Sequence, residues 1–133
     1  MAVLLILHNV WRWVVLIVAL LALYGLIRTR PAINLPTALA HAVRWYPVVL
    51  DIQVALGVLL WLAQRWVGVP LTLTQVIHPV WGLLAVGAAH GAAAFRRREN
   101  PTRARGMLVA YGLSLLLVLI SLASVGAFPF GQR

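Results

Sequence analysis

Four apolar blocks dominate the chain, and short stretches that carry arginine or proline separate them. The blocks run roughly over residues 8–27, 45–64, 75–95 and 106–127. A helix needs about 20 mostly apolar residues to cross a bilayer, so each block is long enough to span one. Short connections favour antiparallel neighbours. The pattern therefore predicts an all-α integral membrane protein, with a single transmembrane domain over residues 1–133 folded as an up-down four-helix bundle.

Composition supports a membrane protein and excludes several other classes. Of the 133 residues, 63% are hydrophobic and only 10% are charged, whereas a soluble domain carries about 25% charged residues. An ordinary cytosolic domain, a disordered tail and a solvated coiled coil are therefore excluded. Cysteine is absent, which excludes disulfides, thiolate metal sites and covalent attachment of haem.

The formal charge of +9 comes from eleven arginines against Asp51 and Glu99. Cytoplasmic connections of membrane proteins carry an excess of basic residues, so we expect both termini on the outer side of a bacterial plasma (inner) membrane. The same pattern favours membrane lipid rather than nucleic acid as the partner of the basic residues. Most of the arginines border two connections, one at Arg28, Arg30 and Arg44, the other at Arg96, Arg97, Arg98, Arg103 and Arg105.

Ionisable residues inside the spans are the functional candidates, because a charge at membrane depth is costly. They are His8, Arg12, Asp51, His78 and His90. With a helix rise of about 1.5 Å per residue, His8 and His78 fall near the outer boundary, whereas Asp51 and His90 fall in the inner half. Two polar layers are therefore expected.

The outer layer suggests a haem. Two imidazoles from two helices are the axial ligands that a b-type haem needs, so His8 and His78 are candidate metal ligands. Arg12 lies one turn below His8 on the same helix face, where it could bind a haem propionate. The alternative is that both histidines and Arg12 simply lie at the membrane interface, where amphipathic side chains are well accommodated.

The inner layer suggests a proton or cofactor site. Asp51 could pair with His90 and relay protons to a quinone, or orient His90 as a haem or metal ligand. Tyr24 and Tyr111 are further candidates for this layer. The alternative is an interhelical hydrogen bond with a structural role alone.

A second haem would need His41 together with His90. His41 lies at or beyond the inner interface, and His78 and His90 point about 120° apart on one helix. One haem is therefore favoured over two.

The third block is rich in small residues. Gly87 and Gly91 form a small-xxx-small pair, which favours close helix packing or dimerisation; alternatively, the small side chains leave room for a flat cofactor beside His90. Pro47 and Pro79 are each expected to begin or kink a helix.

The histidine positions resemble those of the small four-helix b-type cytochromes of bacterial inner membranes. The resemblance implies haem b held between transmembrane helices, and electron exchange with quinone. In that family two haems are usual and the histidine pairs are arranged differently among the helices. The chain is also similar to a group of uncharacterised four-helix bacterial membrane proteins with a His-x3-Arg-Trp start (His8, Arg12, Trp13), an Asp-x-Gln (Asp51, Gln53) and a His-x11-His helix (His78, His90).

These observations favour a membrane b-type haem protein that passes electrons within a respiratory or photosynthetic membrane. It would exchange them with quinone, or serve as the haem-carrying subunit of a larger redox complex. The alternative is a cofactor-free accessory or assembly subunit, associated with other membrane subunits or with itself. A transporter or metal carrier built on the buried histidines is less favoured, because four spans are few and no inverted repeat is visible.

Overall fold

The computed structural model describes residues 1–28 and 36–126, and this part of the chain is built from four α-helices. They are α1 (Ala2–Arg28), α2 (Thr37–Trp66), α3 (Leu73–Gly91) and α4 (Thr102–Ser124), and α3 continues as a 3₁₀ turn over Ala92–Phe95. The described residues contain no strand. All four helices are long and apolar enough to cross a membrane, which confirms the prediction of an all-α fold built from four helices of spanning length.

All four helices begin before the predicted apolar blocks, and α1 and α2 do so by the largest margin. The apolar start of the chain lets α1 begin at Ala2, and α2 begins at Thr37 rather than near residue 45. Pro47 and Pro79 both lie inside helices, so neither begins a helix, and the alternative expectation of a kink stays a prediction. The start of α3 is set instead by a capping box. In it the backbone N–H of Gln75 donates to Thr72 Oγ1, and the backbone N–H of Thr72 donates to Gln75 Oε1, each at 3.3 Å.

Neighbouring helices run antiparallel around a four-cornered bundle. The end of α1 meets the beginning of α2, where a Cβ atom on Gly25 would lie 3.3 Å from Leu39 Cβ. Packing is closest within the α1–α2 and α3–α4 pairs, and α1–α4 and α2–α3 contacts complete the ring. Helices α1 and α3 therefore occupy opposite corners, and so do α2 and α4.

Two tyrosines and a serine tie three of the helices together at the centre of the bundle. The Ser114 hydroxyl donates to the Ala85 carbonyl at 2.8 Å, so the Tyr46 hydroxyl, 2.8 Å away, donates to Ser114. Tyr111 donates to the Val43 carbonyl at 2.6 Å. Because unsatisfied polar groups are costly away from water, these hydrogen bonds specify how α2, α3 and α4 meet.

The tyrosines considered for the inner polar layer have other partners. Tyr111 packs against the Tyr46 ring in an edge-to-face contact, with ring centroids 4.9 Å apart. Tyr24 is half exposed, and the Arg28 guanidinium lies 5.8 Å from the centre of its ring. In the described structure neither tyrosine forms a hydrogen bond with Asp51 or His90.

Large apolar side chains cover the outside of the bundle. Soluble monomers rarely expose apolar patches of more than a few hundred Å², so this exterior fits a multi-pass membrane protein. The exposed set includes Ile6, Val10, Ile17, Leu20, Leu59, Leu83, Val109 and Leu116.

The central hydrogen bonds make a testable contribution to stability. Tyr46→Phe and Ser114→Ala should each destabilise the bundle, and the double variant should lose less than the sum of the two. Interhelical hydrogen bonds in membrane proteins contribute about 0.6 kcal/mol on average and up to about 1.7 kcal/mol, which sets the expected coupling. Unfolding in mixed micelles with a denaturing detergent measures it, and fully additive losses would show that the two hydroxyls act independently.

Candidate functional site

The strongest candidate site is a cavity at one end of the bundle, which we call the histidine cavity. Its volume is about 270 Å³. Residues of all four helices contribute to its wall. The side chains that matter for its chemistry are His8, Arg12, Gln53, Trp61, His78 and Ser121.

The histidine cavity brings together His8 of α1 and His78 of α3. Their ring centroids are 6.2 Å apart, and the ring planes are inclined by 80°. Because the two residues lie on diagonally opposite helices, their rings meet across the interior of the bundle. The sequence predicted that both residues lie at the same depth, and the structure brings their rings close together.

Ser121 of α4 determines which ring nitrogen of His78 carries the proton. The Nδ1 atom of His78 lies 2.9 Å from the Ser121 carbonyl oxygen and 2.9 Å from its hydroxyl oxygen. A carbonyl oxygen can only accept, so Nδ1 carries the proton and donates it. In a neutral imidazole the other nitrogen, Nε2, then has a free lone pair. Ligating histidines are held in this way, with the second nitrogen donating to a carbonyl or carboxylate oxygen.

Gln53 of α2 contacts His8. Its amide nitrogen lies 3.2 Å from Nδ1 and 3.3 Å from Nε2 of the His8 ring, so the amide donates to the ring. The amide oxygen of Gln53 is buried without a hydrogen-bond partner, and so is the indole nitrogen of Trp61. The cavity wall therefore holds one unsatisfied acceptor and one unsatisfied donor, which a bound ligand would satisfy.

Arg12 supplies a positive charge to the same wall. Its guanidinium lies 5.4 Å from the centre of the Trp13 ring. In the described part of the chain the only ion pair joins His90 and Asp51, so no carboxylate of the described residues neutralises Arg12. An anionic group of a ligand is the natural partner for this arginine.

A polar collar lies between the end of α2 and the start of α3, beside the histidine cavity. Arg65 donates to Gln75 Oε1 at 2.7 Å and to the Pro70 carbonyl at 3.2 Å. Gln75 in turn donates to Gln64 Oε1 at 3.4 Å. These contacts hold the connection between the two helices against the cavity.

Asp51 and His90 pair as expected, but they do not line the histidine cavity. The Nε2 atom of His90 lies 2.9 and 3.0 Å from the two carboxylate oxygens of Asp51. The side chains are 53% exposed for His90 and 42% exposed for Asp51. The pair therefore lies on the outside of the α2–α3 face and not in an enclosed inner site.

The remaining histidine does not complete an inner haem site. His41 lies in the exposed second turn of α2, and within the described residues no hydrogen bond or ring contact joins it to His90. Those residues also contain no group of three or more His, Cys, Asp or Glu side chains able to hold a metal ion. A bare metal ion with several protein ligands is therefore not favoured by the described structure.

Sequence reasoning missed Ser121 and Trp61. Ser114 and Ser121 are seven residues apart on α4, which puts them on one helix face, and that spacing was a usable signal for a polar stripe facing the bundle interior. Trp61 lines the cavity and its indole nitrogen is buried, but nothing in the sequence around it indicates such a position.

No family model, curated protein or solved structure matches the chain. Its function must therefore be inferred from the geometry of its own side chains.

A glycine notch that receives His8 can be tested. A Cβ atom on Gly57 would lie 3.1 Å from His8 Cε1, whereas one on Gly82 would make an ordinary contact at 3.6 Å and one on Gly87 would meet nothing. Replacing an interior helical glycine by alanine removes a penalty of about 0.8–1.0 kcal/mol, so Gly82→Ala and Gly87→Ala should stabilise the protein. Gly57→Ala should not, because it displaces the His8 ring.

Adding His8→Ala should restore the stabilising effect of Gly57→Ala, because the ring that collides with the new methyl group is gone. Thermal unfolding of the single and double variants in detergent measures this coupling. Equal gains at all three glycines, with or without His8, would show that the ring does not occupy the notch.

Proposed function

We propose that the protein is a membrane b-type haem protein that passes electrons, with one haem held between His8 and His78. The observation that carries the proposal is the pairing of these two imidazoles across the bundle, with the Nε2 lone pair of His78 left free by Ser121. The absence of cysteine from the sequence leaves histidine ligation as the means of attachment. A haem brings its own four nitrogens, so it needs only two ligands from the protein.

The residues of the histidine cavity fit this group. Metal–imidazole bonds are about 2.0–2.1 Å long, so two rings that would hold one iron must have their centroids only a few ångströms apart. The observed separation is 6.2 Å. Arg12 would bind a propionate, and the unsatisfied Trp61 indole would donate to a further acceptor of the ligand.

Gln53 matches the same requirement at His8. Turning its amide over would place the unpartnered oxygen where it accepts the His8 N–H. Because Gln53 lies 3.2 Å from one ring nitrogen and 3.3 Å from the other, the His8 ring would also have to turn before its second nitrogen could hold the iron. Nitrogen and oxygen exchange places in the amide movement without a change in volume. Gln53 would then orient His8 as Ser121 orients His78.

The size of the cavity sets a limit on how the group would be enclosed. Cavities that bury most of a drug-sized ligand have volumes of about 300–1,000 Å³, and the histidine cavity has about 270 Å³. The histidine cavity alone would therefore not enclose a whole haem macrocycle.

Haem iron would supply reversible one-electron chemistry, while the protein tunes it through ligation, burial and nearby charge. His8 and His78 would hold the iron, Arg12 would place a positive charge beside the group, and the apolar wall would exclude water. With two ligands supplied by the protein, the site would suit electron transfer. We assign its place to the bacterial inner membrane, with a quinone or another subunit of a redox complex as the electron partner.

The Asp51–His90 pair would serve a quinone at the lipid-facing surface. Both side chains are partly exposed on the α2–α3 face, so a headgroup diffusing in the bilayer could reach them. The carboxylate would hold the imidazole in place, and the imidazole would accept or return a proton as the quinone changes its redox state.

A second candidate function is a cofactor-free accessory subunit of a membrane complex. It is favoured by the degree to which polar side chains within the spans satisfy one another: Gln53 with His8, Ser121 with His78, and Asp51 with His90. In the first candidate function His8 and His78 bind haem, whereas in the second they only hold the helices together, so a measurement of haem binding distinguishes the two.

The test is haem content in a set of matched histidine variants. The wild-type protein, purified in mild detergent and supplied with haem, should bind one haem per chain, quantified as the pyridine haemochrome. His8→Ala and His78→Ala should each lose most of this haem, because each removes an axial ligand. His41→Ala and His90→Ala are the matched controls and should retain it.

Two results would contradict the proposal. A wild-type preparation that stays colourless after haem is supplied would favour the accessory subunit. Loss of haem in the His90 variant but not in the His8 variant would move the ligands to another part of the bundle. Circular dichroism of each variant checks that the helices remain intact.

A variant of Ser121 tests whether this residue orients the His78 ring or only packs against it. Ser121→Ala removes one of the two oxygens that contact His78 Nδ1 but leaves the backbone carbonyl, so haem should remain bound while its affinity falls. Outer partners of metal-ligating histidines typically contribute about 10- to 100-fold in metal affinity. Ser114→Ala on the same helix face is the control, and an equal loss of haem affinity there would show that the effect is not specific to His78.

A further inference from the structure

The opposite end of the bundle contains a second cavity, which we call the arginine cavity. It lies where α1 and α3 end and where α2 and α4 begin, and its volume is about 350 Å³. Three arginines line it: Arg44 of α2, Arg96 after the 3₁₀ turn, and Arg103 of α4. We propose that this cavity binds the phosphate headgroup of an anionic glycerophospholipid, with phosphatidylglycerol as its simplest ligand.

Uncompensated positive charge is the first reason. The whole chain has two acidic residues, Asp51 and Glu99. Asp51 pairs with His90, and Glu99 does not line the cavity. Three exposed arginines therefore line one cavity, and no carboxylate of the described residues lies in its wall. Arginine forks match the oxygens of a phosphate group and bind them in pairs.

The second reason is that two of these arginines are held by aromatic side chains. Arg96 lies beside the Tyr111 hydroxyl, and that tyrosine is buried and anchored to the Val43 carbonyl. The Arg44 guanidinium lies 5.6 Å from the centre of the Trp45 ring. A phosphate that binds between them meets groups already held in position.

The remaining wall of the arginine cavity combines apolar side chains with one unpartnered hydrogen-bond acceptor. Leu26, Ala104 and Met107 are buried and apolar, as expected for the part of the cavity that would face glycerol and acyl carbons. The Asn100 amide oxygen is buried and has no hydrogen-bond partner. The hydroxyls of a glycerol headgroup would donate to it, whereas choline carries no such donor.

The location fits a lipid rather than a soluble anion. The cavity lies between membrane-spanning helices at the arginine-rich end of the bundle, and basic pockets between such helices bind anionic lipid headgroups on the cytoplasmic side. The phosphate would lie at the level of the arginines, with the acyl chains along the apolar helix surface. This site is independent of the histidine cavity and of haem.

The test compares two variants that lose the same charge. Arg44→Gln with Arg103→Gln removes two arginines from the cavity, and Arg97→Gln with Arg98→Gln removes two exposed arginines outside it. Arg96 is left unchanged because it contacts Tyr111. Binding of phosphatidylglycerol, phosphatidylcholine and inorganic phosphate to purified protein in detergent micelles is titrated by native mass spectrometry.

Wild-type protein should bind phosphatidylglycerol more tightly than phosphatidylcholine. A direct hydrogen bond to a charged group contributes enough for a roughly tenfold or larger change in affinity, so the cavity variant should bind phosphatidylglycerol at least roughly 30-fold more weakly. The Arg97 and Arg98 control should bind within about threefold of wild type. Asn100→Asp provides a second variant of unchanged size, whose negative charge should also weaken binding.

Three outcomes would overturn the proposal. Equal losses in both double variants would assign binding to the general surface charge. Equal affinities for phosphatidylglycerol and phosphatidylcholine would remove the role of headgroup and charge. Inorganic phosphate that displaces phosphatidylglycerol at similar concentrations would make the site one for a soluble anion. If the cavity variant loses helicity, the Asn100→Asp result decides, and unchanged affinity in that variant overturns the assignment.

Discussion

The hydrogen bond that His78 Nδ1 donates to the Ser121 carbonyl governs the chemistry of the histidine end of this bundle. Within an apolar membrane segment an imidazole must place its proton on an acceptor, and the backbone carbonyl of α4 provides one at 2.9 Å. That choice leaves Nε2 as the nucleophilic nitrogen and aligns α3 with α4. The wall of the histidine cavity, its contact with His8 and its suitability for a haem all depend on this orientation.

The same requirement is met differently at the Asp51–His90 pair. There the acceptor is a carboxylate on α2, and the two side chains satisfy each other on the outside of the bundle, where they are 42% and 53% exposed. A half-buried pair of histidines and a more exposed acid–base pair thus occupy separate parts of one small protein. The first suits a resident group held between helices, whereas the second suits a molecule that arrives through the lipid.

Much of the fold can be predicted from the sequence, because the length of each apolar run is enough to identify a spanning helix. Apolar runs of about 20 residues specify spanning helices, and the depth of His8 and His78 along those runs predicted that they share a level. Asp51 and His90 were matched for the same reason. Depth along a helix is easily read from a sequence, because each residue adds a fixed rise.

Direction around each helix is much harder to predict here. A helix that is apolar on every side gives little periodic signal about which face it buries. The outward position of His90, the roles of Tyr24 and Tyr111, and the notch at Gly57 therefore required the structure. Pro47 and Pro79 misled in a related way, because neighbouring helices in a membrane bundle tolerate proline inside a helix. Ser121 was overlooked because a lone serine in an apolar span has no strong meaning until its partner is known.

The most direct test of the account is the electron paramagnetic resonance spectrum of the oxidised, haem-loaded protein. Two imidazoles bound to one ferric haem with ring planes near the 80° inclination of His8 and His78 predict a low-spin signal with large anisotropy. A high-spin ferric signal would mean that at least one axial position is not held by histidine. Either that signal or the absence of bound haem would contradict the central claim that this bundle joins its two diagonal helices through a shared haem.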